Sequence, residues 1–160
     1  MTYMGSVFWS HPPGWTNPFV LRASTALPVV GAWDAAPTES SCASARTVLL
    51  SFSYTRGAAG GAFDFQLQTS IYGVIGNVPT GAQEWQTESL YASGAVAAGV
   101  DSQSRVQREY QTYASQGAAA EVFSFGPIDI DGAERIRVTA RESGVVGNPG
   151  TLQITAELAP

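Results

Sequence analysis

The chain is expected to be all-β: an antiparallel β-sandwich of jelly-roll type, with about eight strands and an extended N-terminal arm. Three observations predict this. From Arg46 onward, apolar and polar residues alternate with a period of two in run after run. Turns rich in Gly, Pro and Asn separate the runs at intervals near those of sandwiches and barrels. No internal repeat of roughly 20–50 residues is visible, which sets solenoids and propellers aside.

The elements follow in order. Residues 1–22 read as the arm, and 23–160 as one sandwich domain. Trp9-Ser-His-Pro-Pro-Gly-Trp15 cannot be helical, because Pro12 and Pro13 remove donors and hold their predecessors extended. A first strand is predicted from about Phe19 to Leu27, ending at Pro28. Gly31 to Ser44 reads as a loop. In the next strand Val48, Leu50, Phe52 and Tyr54 share one face. Arg56-Gly-Ala-Ala-Gly-Gly61 is a turn, with glycine where positive φ is needed. The following strand points Phe63, Phe65, Leu67 and Ile71 inward and Asp64, Gln66, Gln68 and Ser70 outward, and the two strands are expected to pair as a hairpin. Further strands are predicted over 84–91 and, in preference to a helix, over 105–113. Three more cover Glu121–Phe125, Glu134–Arg141 and Thr151–Leu158, with Gly147-Asn-Pro-Gly150 turning between the last two.

Composition narrows the function. At 160 residues the chain fits one domain with an adequate core. Only 13% of residues are charged, about half the usual ~25%. Lysine is absent and all eight cations are arginine. A GC-rich genome explains this, and so does a surface built for protein partners, where Arg is enriched and Lys depleted. A net charge of −5 without a basic run argues against nucleic-acid binding. Arg135, Arg137 and Arg141 fall at alternate strand positions and read as a solvated face. The single cysteine, Cys42, allows neither an intrachain disulfide nor a cysteine metal site. No apolar run approaches the length of a membrane helix, and no secretory signal is recognisable, so synthesis in the cytosol is expected.

Candidate chemistry is sparse. His11, the only histidine, precedes Pro12-Pro13 in the arm, a poor place to hold a general base rigid. Cys42 reads as an unreactive small residue. Asp129 and Asp131 could offer oxygens to calcium, which needs more of them than this segment has, and a turn at Asp131-Gly132 explains the same residues. Glu84 and Glu88 flank Trp85 at about 13 Å along an extended strand, beyond the roughly 5–10 Å of a glycosidase pair. No catalytic residue, metal ligand or cofactor is assigned, and the chain is read as a non-enzyme.

Aromatics carry more. Trp85 and Tyr91, with Tyr72, Tyr110 and Tyr113, could form a stacking platform for sugars, the surface of a glycan- or receptor-binding module. The alternative is that aromatics of this set fill the core. Phe8, Trp9, Trp15 and Phe19 are the arm's candidate protein-interface anchors, since hot spots favour large aromatic residues. They either fold back onto their own sandwich or cross to a neighbour.

Val48-Leu-Leu-Ser-Phe-Ser-Tyr-Thr-Arg-Gly57 with Gly60-Gly61, and Ile136-Arg-Val138 through Arg141-Glu-Ser-Gly144 to Gly147-Asn-Pro-Gly-Thr-Leu-Gln-Ile154, prompt a comparison. Over residues 46–158 the chain resembles the jelly-roll structural proteins of tailed bacteriophages, especially capsid decoration (cement) and head-fibre proteins. The resemblance implies a virion protein made in the host cytoplasm. It would bind the major capsid protein or other virion proteins on the capsid exterior, as a homo-oligomer with a trimer favoured, without nucleic acid, membrane or cofactor.

Overall fold

The structure, a computed structural model, describes residues 14–29, 31–71, 85–88, 110–145 and 147–160, together with the backbone of 90–91 and 107–108. Among these residues there is no helix. The strands are β1 (Phe19–Ala26), β2 (Glu39–Ser41), β3 (Thr47–Thr55), β4 (Ala62–Ser70), β5 (Gln86–Thr87), β6 (Leu90–Tyr91), β7 (Gln107–Arg108), β8 (Gln111–Ala114), β9 (Ala120–Asp129), β10 (Arg135–Glu142) and β11 (Thr151–Ala159). Two antiparallel sheets pack as a sandwich. Sheet A has the order β1-β11-β3-β9; sheet B runs β2-β10-β4, with β5 and β8 both on the far side of β4, and β6 pairs with β7 apart from them.

The pairings nest. β1 pairs with β11, β2 with β10, β3 with β9 and β4 with β8. The chain is thus a long antiparallel ribbon folded back at β4 and β8 and wound into two sheets, a winding compatible with a jelly roll. β1, β3, β9 and β11 fall in one sheet and β2, β4, β8 and β10 in the other.

That winding corrects the expected hairpin. β3 and β4 do not pair; they lie in different sheets, and Arg56–Gly61 arches between them. Their matching alternation has another cause. Both strands point aromatic faces into the gap, so Phe52 meets Phe65 at 4.7 Å and Tyr54 meets Phe63 at 4.9 Å between ring centroids. The Gly147–Gly150 turn likewise crosses between sheets, from β10 to β11.

The inward residues are otherwise those the alternation selects. Val48, Leu50, Phe52, Tyr54, Phe63, Phe65, Leu67, Ile136, Val138, Ala140, Leu152, Ile154, Ala156 and Leu158 form the core. Ile71 is the exception: β4 ends at Ser70, the chain bends, and Ile71 is 64% exposed. The predicted loop 31–44 contains β2. β9 continues past Phe125 to Asp129, because a register shift opposite Val48–Leu50 admits Gly126 and Pro127 at the sheet edge. Where 84–91 and 105–113 are described they hold short strands, and Glu84 lies outside the described residues.

One end of the sandwich is knotted by a carboxylate. Glu142 is fully buried at the end of β10. Its Oε1 accepts from the backbone N–H of Ala62 (3.1 Å), Gly144 (3.2 Å) and Val145 (3.2 Å), and its Oε2 from Gly150 (2.9 Å). The loops it joins pack too tightly for side chains. A methyl group on Gly150 would stand 2.5 Å from Cε2 of Tyr54, and one on Gly144 would stand 2.4 Å from the carbonyl oxygen of Gly60. The Tyr54 ring closes this end from within, and its hydroxyl meets no hydrogen-bond partner among the described residues.

Two expectations follow from this end. Glu142→Gln should cost about 2–4 kcal/mol in denaturant unfolding, because an amide must turn a donor toward at least one N–H. Tyr54 gives the second. Burial first, then the Glu142 and Glu121 carboxylates, push its phenol up to about 12, against a partial opposing effect of Arg56. The folded state therefore holds this proton more tightly than the unfolded chain, whose phenol titrates near ~10. Its contribution is full below that pH and is lost as pH rises toward 12. Melting temperatures measured across this window should fall less steeply in Tyr54→Phe than in the parent.

Candidate interaction surfaces

The arginines of β10 were expected to face solvent, and the structure corrects this. Arg135 is only 6% exposed, and Arg137 and Arg141 are half-buried. They stand on the outer face of sheet B under three aromatic rings. The guanidinium carbon of Arg137 lies 4.1 Å and that of Arg135 5.0 Å from the Trp85 ring centroid. Arg141 lies 4.3 Å from Trp33 and 5.4 Å from Tyr110, which meet each other edge to face. Oxygens fix the other side of each guanidinium: Glu39 for Arg135 (2.5 Å), Gln68 for Arg137 (2.7 Å) and Asp64 for Arg141 (2.8 Å). Asp64, expected on the outward face, is nevertheless only 4% exposed and also accepts from Thr112 on β8. Arginine suits these positions because its planar guanidinium stacks and donates in its plane at once.

This arrangement bears on the sugar platform. Trp85 is half-buried with two guanidiniums against it, so that part of its ring surface is already used. Tyr91 lies on β6, and its side chain is outside the described atoms.

The outer face of sheet A is different in kind. Across its four strands Val20, Thr155, Ser51 and Ser124 stand in register as one row, and Gln153, Ser53 and Val122 as the next. None of these side chains is charged. Ser51 and Ser124 join through their hydroxyls at 3.1 Å. Glu157, opposite Leu49, stands beyond these rows toward the end of β11.

The root of the arm is pinned at the Phe19 end of β1. The Thr16 N–H donates to the Leu158 carbonyl (2.8 Å), and its hydroxyl accepts from the Leu158 N–H (2.9 Å). Trp15 is half-buried, while Phe19, in β1, packs against this chain's own core. Phe19–Arg22, the last residues assigned to the arm, form the first half of β1. Phe8, Trp9 and His11 lie outside the described residues.

A cleft of about 640 Å³ opens at the same end, lined by Thr69, Glu88, Pro127, Asp129, Asp131 and Ala133 among others. Its polar groups are engaged locally. Thr69 donates to Glu88 at 2.5 Å, and Asp129 accepts from the Asp131 N–H, closing the turn expected at Asp131-Gly132. Asp131 also meets Arg46 at an exposed 3.3 Å contact. Among the described residues no group of three or more His, Cys, Asp and Glu is placed to hold a metal ion. Cys42 is buried with its thiol toward the Ala133 carbonyl. Burial, and then Glu134, push this thiol up to about 11, so it stays protonated and a poor nucleophile at neutral pH. No described helix is long and apolar enough to cross a membrane.

Sequence periodicity placed the β10 arginines on the correct face and missed what covers it. Trp33 arrives from a segment without a repeating pattern, so only its aromatic character, unusual in a polar loop, signalled a packing role. Trp85→Ala should lower stability by about 1–3 kcal/mol, read as a shifted denaturation midpoint, with the folded far-UV spectrum retained.

Neither a protein-family model, nor a curated protein, nor a solved structure matches this chain.

Proposed function

We propose that the chain is a non-enzymatic virion structural protein: a jelly-roll domain that binds the outer surface of a phage capsid and stabilises the shell through repeated protein contacts. The observation that carries this reading is the outer face of sheet A. Its rows Val20-Thr155-Ser51-Ser124 and Gln153-Ser53-Val122 make a charge-free β surface. Docking on such a face desolvates no charged group, and short side chains lose little rotamer freedom when covered. Three of the described arginines are meanwhile paired with acids elsewhere, in Arg22–Asp34, Arg135–Glu39 and Arg141–Asp64.

The winding supports the same reading at the level of analogy, since two-sheet jelly rolls serve in capsid and lectin proteins alike. The arm completes the device. It leaves from a root clipped to Leu158, so Phe8 and Trp9 act as anchors on a neighbouring virion protein, Trp15 stands at the root, and Phe19 fastens that root to the core. Weak contacts repeated over a symmetric shell add through effective concentration.

The test is binding to cognate capsids assembled without this chain. Removal of residues 1–13, which spares the Thr16 clip, should leave a folded domain and reduce capsid occupancy by at least an order of magnitude. Ser53→Arg, which puts a charge at the centre of the uncharged face, should weaken binding in the same direction. Unchanged occupancy for both variants would overturn the proposal.

A further inference from the structure

The edges of a sandwich hold its unpaired backbone, and this fold treats its two sheet A edges unequally. Beside β1 the Arg22 guanidinium binds Asp34 and the carbonyls of Thr25 and Ala26, and the strand's register shifts twice. That edge is irregular and charged, which guards it. Among the described residues β9, at the other edge, pairs with β3 alone.

Its free side can be assigned residue by residue. The Ala119 carbonyl accepts from the N–H of Arg56, just past β3. Along an antiparallel strand, alternate residues address the same neighbour. Glu121, Phe123 and Phe125 therefore turn their backbone groups to β3, while Ala120, Val122 and Ser124 turn theirs to the open side. None of these three is charged, and Val122 is 80% exposed. No Lys or Pro, the usual guards, stands among them. Pro127, which has no N–H, limits the free stretch beyond them.

We infer that β9 pairs with β9 of a second copy, antiparallel about a two-fold axis at Val122. In this register Val122 faces Val122 of the second copy, and Ala120 faces Ser124, so every outward residue exchanges its N–H and C=O with a partner. Glu121 comes opposite Phe123, and no two like charges face each other. The most exposed large apolar side chain among the described residues is covered by its own twin. The row Gln153-Ser53-Val122 runs on into the same row of the second copy. Two four-stranded sheets become one continuous sheet with a doubled uncharged face. Such an isologous pairing closes on itself and leaves no free β9 edge for further growth.

The experiment is the solution mass of the full-length chain by light scattering, beside Val122→Lys, with amide hydrogen exchange as a second readout. Val122→Lys places two cations face to face at the axis and disturbs no core contact. The wild-type chain should have the mass of two chains, and the variant half that mass with an unchanged far-UV spectrum. In the wild type, the Val122 and Ser124 amides should exchange slowly when concentrated and at least tenfold faster once dilution separates the copies. A wild-type monomer or trimer, a variant that stays dimeric, or amides whose exchange ignores concentration would overturn the inference. No capsid enters this experiment, so its outcome is separate from that of the capsid-binding proposal.

Discussion

The buried carboxylate of Glu142 is the interaction on which the rest of this sandwich depends. A chain that winds between two sheets must repeatedly cross a gap of about 10 Å, and the crossing segments carry backbone donors that no ladder satisfies. At one end, the arch from β3 to β4 and the loop from β10 to β11 meet, and a single side chain accepts from both. Charge-assisted bonds to backbone N–H are stronger than neutral ones. The buried charge is thereby solvated by the chain itself, and the loops are drawn close enough that Gly144 and Gly150 admit no side chain. Tyr54 and the aromatic column behind it pack beneath this closure.

The use of charge elsewhere follows one pattern. Most arginines with a described partner hold an oxygen on one side and, on β10, an aromatic ring on the other. Arg22 ties the β1 edge of sheet A to Asp34, which itself bonds the backbone of Ala140 on sheet B. These contacts buttress the outer side of sheet B and the seam between sheets. The two rows at the middle of the outer side of sheet A are left uncharged, with Glu157 standing beyond them. The two faces have different physical uses: one is covered by its own chain, and the other is open and cheap to desolvate.

This asymmetry ties the functional proposals together. In these proposals the uncharged rows, the segment that leaves from the Thr16 clip at one corner and the Ala120–Ser124 stretch of the β9 edge at the opposite margin are three separate means of association. They lie far enough apart across sheet A that β9 pairing would leave the arm root free to engage another partner.

Much of the fold was legible in the residues themselves. Alternation along Val48–Tyr54, Ile136–Ala140 and Leu152–Leu158 is a local signal, because neighbouring side chains on a strand must point to opposite faces. It identified the strands, their inward faces and the sandwich class. Tertiary structure decided the rest. Whether β3 pairs with β4 or faces it across the core depends on partners distant in sequence, and both outcomes impose the same alternation. The same limit applies to Arg137 and Arg141: an outward polar position reads as solvated until Trp85 and Trp33 lie against it. A single chain's pattern records which side of a strand avoids water, whereas only long-range packing decides what finally lies against the other side.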